Sequence, residues 1–144
     1  MRKKFFIPVS CLLVMLFCLA GLAHAAERTS GRITIDVPDG WLFVEQSGAV
    51  AVVTKDMSAQ ISVILNPAGG LSDEAAAVAL AKEFNGSEPK HDKESSSYTF
   101  NCKDGEGQET RVMVQIQGDT VIMLMLTGEH PQMLEIINSV KIQK

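Results

Sequence analysis

The chain has 144 residues, 46% of them hydrophobic and 21% charged, with a formal net charge of −4. The acidic balance argues against nucleic acid and anionic membrane surfaces as partners. Three cysteines, two of them among the first 25 residues, exclude a disulfide framework.

The first segment is read as an export signal. Arg2, Lys3 and Lys4 form a positive start, Phe5 to Leu22 is an apolar run, and Ala23-His24-Ala25 offers small residues for a signal peptidase. Residues 1–25 are therefore predicted to be a signal peptide, and 26–144 a single globular domain of periplasmic or secreted location. The alternative is an uncleaved anchor, since the run is nearly long enough to span a bilayer. Cys11 and Cys18 lack the small-residue setting of a lipoprotein. No second apolar run follows, so no stable membrane insertion is expected after cleavage. The 13 basic residues less three, against 17 acidic, leave the exported chain at −7.

Residues 26–31 read as a polar lead-in. Ile33, Ile35 and Val37 alternate as one face of a strand. Pro38-Asp39-Gly40 is a turn, with Pro fixing φ and Gly allowing a positive φ, and Trp41 follows it. Strands are expected at 42–46, 49–54 and 60–65, joined by short links in an antiparallel meander. Ser72 is set to cap a helix whose first turn carries Asp73 and Glu74. Ala77, Leu80, Ala81 and Phe84 make its apolar stripe, and Asn85-Gly86 stops it. Glu88 to Glu94 reads as a charged, solvated connection.

Ser95 to Lys103 is expected to be a strand with Tyr98, Phe100 and Cys102 on one face, which makes Cys102 a small core residue. Residues 108–117 place Val112, Val114 and Ile116 opposite Arg111, Met113 and Gln115. Val121 to Thr127 is apolar on both faces, so it must be buried on both. A last helix is predicted from Pro131, a favoured first helical residue, to Asn138-Ser139, with a short final strand after it. These elements predict an α+β fold. The two-faced strand further suggests a three-layer α/β/α sandwich, with a mainly antiparallel sheet of about seven strands and two main helices.

This order of elements resembles the PsbP-like fold superfamily. The resemblance rests on Pro38-Asp39-Gly40-Trp41 after an early strand, a helix after a Gly-rich loop, three antiparallel strands, and a closing helix running into Ser139-Val140-Lys141. It is most similar to the small exported bacterial branch, the DcrB-like proteins. The resemblance implies a domain used for protein binding or assembly, not catalysis.

The residues agree on catalysis. There is no Gly-x-Ser-x-Gly elbow and no His-Glu-x-x-His helix, and His91-Asp92 lies in the charged connection. The Pro67–Gly70 loop lacks a cation for phosphate, and Asp73 and Glu74 would repel one. Met113, Met123, Met125, Met133 and His130 are ligand types that suit Cu(I), although filling the core is the simpler role. No enzyme activity and no cofactor are therefore expected. The expected function is binding of a protein partner, or help in an envelope assembly, with Pro38 and Trp41 as candidate contacts. The alternative is a carrier of a small apolar ligand, and after that a copper-binding protein.

Overall fold

A computed structural model describes residues 25–144. The expected signal peptide, apart from Ala25, lies outside the described residues. The fold is mixed α+β. Its strands are β1 (Ala26–Ser30), β2 (Ile33–Val37), β3 (Trp41–Gln46), β4 (Ala49–Thr54), β5 (Gln60–Pro67), β6 (Lys90–Asp92), β7 (Ser97–Lys103), β8 (Glu109–Gln117), β9 (Thr120–Thr127) and β10 (Lys141–Ile142). Helix α1 (Asp73–Glu83) follows β5, and α2 (Met133–Ser139) follows β9.

Seven strands form one sheet in the order β3-β4-β5-β9-β8-β7-β6, with every pairing antiparallel. After β5 the chain passes through α1 to the far edge at β6. It then meanders back until β9 pairs with β5 along Gln60–Pro67. The two-faced strand is thus the middle strand of the sheet, which is why both of its faces are apolar. The strands at 33–37 and at the C-terminal end were expected in that same sheet, but β2 and β10 pair with β1 as a separate three-stranded sheet. Two further corrections concern polar segments. The lead-in is β1, paired residue for residue with β2, and the charged connection contains β6, paired with β7. Both are edge strands held through the backbone, which a side-chain pattern does not reveal.

Two apolar clusters lie on opposite faces of the seven-stranded sheet. In one, Ile33 and Ile35 of β2 and Met133 and Ile136 of α2 pack on Val52, Ile61 and Val63. In the other, Ala76, Ala77 and Ala81 of α1 pack on Phe100, Val112, Val114 and Met123. Cross-strand partners share a face, so the register Val63↔Leu124↔Met113 belongs to the first side and Val112↔Met125 to the second. Small alanines let α1 approach the sheet closely.

Local chemistry fixes both helices. Ser72 Oγ accepts from Ala75 N–H at 3.2 Å as the N-cap. At the other end Asn85 adopts φ 52, Gly86 N–H donates to Ala81 O at 2.7 Å, and Asn85 N–H donates to Lys82 O at 3.3 Å. That is a Schellman motif, with Asn in the left-handed position that it tolerates better than most residues. Helix α2 starts at Met133, two residues after the expected Pro131, and Gln132 makes no side-chain cap because its amide is used elsewhere. Ser139 Oγ donates to Ile136 O at 2.6 Å and accepts from Asp36 N–H at 2.9 Å, tying the end of α2 to β2. Among the described residues no helix is long and apolar enough to cross a membrane.

Candidate functional site

The Pro38–Trp41 turn forms as expected. Trp41 N–H donates to Pro38 O at 3.2 Å, and Gly40 sits at φ +87, as position three of a type II turn requires. The turn does not present an aromatic anchor, which corrects the expected contact. Pro38 is buried, and Trp41 is only 7% exposed. Trp41 shares a face with Phe43, and that face belongs to the cluster beneath α2. Its indole N–H donates to Gln132 Oε1 at 3.0 Å, and its ring meets His130 edge-on, with centroids 4.9 Å apart. A buried indole N–H needs such a partner, and this is why Gln132 is not free to cap α2.

The other face of the same strand is the exposed one. Leu42 is 46% and Val44 42% exposed, on an edge strand of the seven-stranded sheet. Val44, Ala49, Ala51 and Ile64 share a shallow recess of about 120 Å³. Helix α1 packs over the β7–β8 half of that face.

A second opening lies on the α2 side. An open recess of about 570 Å³ is lined by Leu126, Met133, Leu134 and Ile137, with Asn101, Arg111, Glu109, Glu129 and His130 at its mouth. A smaller one of about 180 Å³ is lined by Ile122, Leu124, Met113, Val140 and Ile142, with Ser95, Ser97, Gln115 and Gln117 as its polar lining; Ser97 is itself buried and shares a 2.6 Å hydrogen bond with Ser95. Leu126 and Leu124 are successive same-face residues of β9, Arg111 and Met113 of β8, and Val140 lies three residues after Ile137, just past the end of α2. The two recesses have no lining residue in common but follow one another along the same sheet face, as the wide and narrow parts of an apolar trough. Its apolar residues are mostly half-buried, a state that periodicity in the sequence does not distinguish from full burial.

The wall below Trp41 carries one strongly perturbed acid. The Ser58 hydroxyl, then the Thr54 hydroxyl and the Ser58 amide, hold the Asp56 carboxyl down to about 2. Asp56 therefore stays ionised and shapes the β4–β5 turn, where its Oδ1 accepts from Ser58 Oγ at 2.7 Å and Ser58 N–H at 3.1 Å.

The candidate copper ligands do not come together. Met123 and Met125 belong to the α1 side of the sheet, whereas Met113 and Met133 line the opposite side. His130 lies against Trp41. Among the described residues no group of three His, Cys, Asp or Glu converges. His91 is exposed on β6 and leans on Tyr98, with centroids 5.0 Å apart. Cys102 is 6% exposed and unpaired, and burial pushes its thiol pKa up, helped by Asp104 and Glu109. It should resist Ellman's reagent in the folded protein and react fully in denaturant; rapid labelling of the native protein would contradict this burial.

No family model matches the sequence, and no curated protein does either. Solved structures do match. One is a crystal structure of a protein from Bacteroides thetaiotaomicron VPI-5482, with TM-score 0.56 and 14% identity over 83% of this chain. The match spans 49% of that longer chain. Another is the solution structure of cyanobacterial PsbP (CyanoP) from Synechocystis sp. PCC 6803, with TM-score 0.54 and 12% identity. It covers 85% of this chain and 95% of the cyanobacterial one. At such identities the shared property is the fold, and the chain is similar at that level to the PsbP-like proteins.

Proposed function

We propose that this chain is an exported, non-catalytic domain, periplasmic or secreted, that binds a protein partner or assists an envelope assembly. The observation that carries this reading is the open sheet edge at β3. Natural edge strands are blunted by charge, proline, bulges or shortness. The far edge, β6, is three residues long and reads Lys-His-Asp. In contrast β3 runs six residues, Trp-Leu-Phe-Val-Glu-Gln, pairs with β4 without a bulge, and exposes Leu42 and Val44. Such an edge accepts an added strand, with apolar side chains setting the specificity. We read the whole as a three-layer α/β/α sandwich in which β1, β2 and β10 share the layer of α2, a rigid platform for that edge. The PsbP-like resemblance points the same way.

A photo-crosslinking residue at Val44, expressed in the native envelope, should capture a specific protein. Leu42→Lys with Val44→Lys should abolish capture by a probe on Glu45 while leaving the melting temperature unchanged. The same set of products from a probe at the exposed Val78 of α1, or undiminished capture in the double variant, would overturn the reading. A second reading, a carrier of a small apolar ligand, is favoured by the trough beside α2.

A further inference from the structure

We propose that the trough between α2 and strands β8–β9 binds a single-chain amphiphile, with its tail on the Leu126–Leu124–Ile122 row and an anionic head group at Arg111. This rests on the second reading above and is independent of the β3 edge.

Three observations select that occupant. The first is composition. The β9 row and the α2 wall are apolar, while beside them β8 carries Gln115 and Gln117 on the same face, with Ser95 next to them. A trough with one wet side suits a ligand that is apolar along its length and polar at one end. The second is shape. From Thr110 to Gln117 the trough follows seven residue steps of β8, about 23 Å at 3.3 Å each. Its inner half offers only about 180 Å³. A partner helix, about 10 Å across, would not enter that half. A partner strand would find no free backbone there, because the floor is a sheet face between paired strands. A flexible chain meets neither obstacle.

The third is charge. Arg111 stands at the wide end, and no carboxylate among the described residues lies within 4 Å of it, although the Asp92 carboxyl, held down chiefly by the Ser95 hydroxyl, is also reached and lowered by its charge. Asn101 lies directly across the β7–β8 ladder from Arg111 and adds an amide donor. Glu109 and Glu129 share the mouth, so a head with a single anionic charge is favoured over a multiply charged one. A charge-assisted contact to Arg111 would be worth about tenfold in affinity.

The test is a titration of the purified protein with dodecanoate and with dodecylphosphocholine, each below its micelle concentration, followed by methyl NMR. Dodecanoate has a net negative head, and dodecylphosphocholine a zwitterionic one whose anionic phosphodiester adjoins the chain. Saturable one-to-one binding is expected, with shifts at Leu126, Leu124 and Ile137 and none at Leu42 or Val44. Arg111→Gln should weaken dodecanoate about tenfold. Leu134→Glu, at a 68% exposed position on the wall, should weaken both ligands without altering the melting temperature. Non-saturable binding, shifts at Leu42 and Val44 instead, or equally tight binding of dodecyltrimethylammonium would overturn the proposal. Partner capture at β3 is read by crosslinking in the envelope, so the two readings fail separately.

Discussion

Met123→Asp is expected to destabilise the protein by about 4 kcal/mol, and Val63→Asp by a similar amount, both measured by urea unfolding. Each residue lies within the sheet but on opposite faces: Met123 is 3% exposed under α1, and Val63 is fully buried under the other cluster. An aspartate at either position would be an unpaired charge in apolar surroundings, with no basic residue in the cluster to receive it. A loss of that size removes a large part of the stability of a domain this small. Val78→Asp, on the exposed face of α1, should shift stability by no more than about 0.5 kcal/mol. If one aspartate variant unfolded near the wild-type midpoint, that face of the sheet would be uncovered, and the corresponding cluster would be misplaced.

Gly128→Ala should cost about 3 kcal/mol, for reasons unrelated to hydrophobicity. Gly128 leaves β9 at φ +73, and a β-carbon there would run into the Ser58 carbonyl oxygen of the β4–β5 turn. The left-handed backbone alone costs an L-residue about 1–2 kcal/mol, and the collision adds an overpacking penalty of similar size. Gly118→Ala separates the two effects. Gly118 is also left-handed, at φ +59, but a β-carbon there meets nothing within 4 Å. It should lose only the backbone term. Ser58 cannot move aside easily, because Thr54 N–H donates to Ala59 O at 3.0 Å and Ala59 N–H to Thr54 Oγ1 at 3.1 Å. Gly128 also lines the wide end of the trough. Equal costs for Gly118→Ala and Gly128→Ala would show that the turn does not press on Gly128.

The sequence by itself determined which residues share a face and where the helices turn. The double alternation of Val121–Thr127 marked the middle strand. Ser72 and Asn85-Gly86 marked both ends of α1. The faces of β7 and β8, with Cys102 inward, were legible because side chains on a strand alternate with a period of two. Only the tertiary structure decided what covers each face. The strand β1, Ala-Glu-Arg-Thr-Ser, and β6, Lys-His-Asp, carry no apolar pattern and exist through backbone pairing with β2 and β7. The second neighbour of β2 in its separate sheet is β10, more than a hundred residues further along the chain.

Trp41 illustrates the same limit at the candidate site. A tryptophan after a turn reads equally well as an anchor or as core. Its burial is decided by Gln132 and His130, which approach from about 90 residues away. The same strand shows Leu42 and Val44 to solvent because α1 is spent on the other half of that face. The trough likewise arises where α2 stops short of β7 and β8. Periodicity is a property of neighbours along the chain. Coverage is a property of distant segments, fixed by pairing and packing that no local pattern encodes.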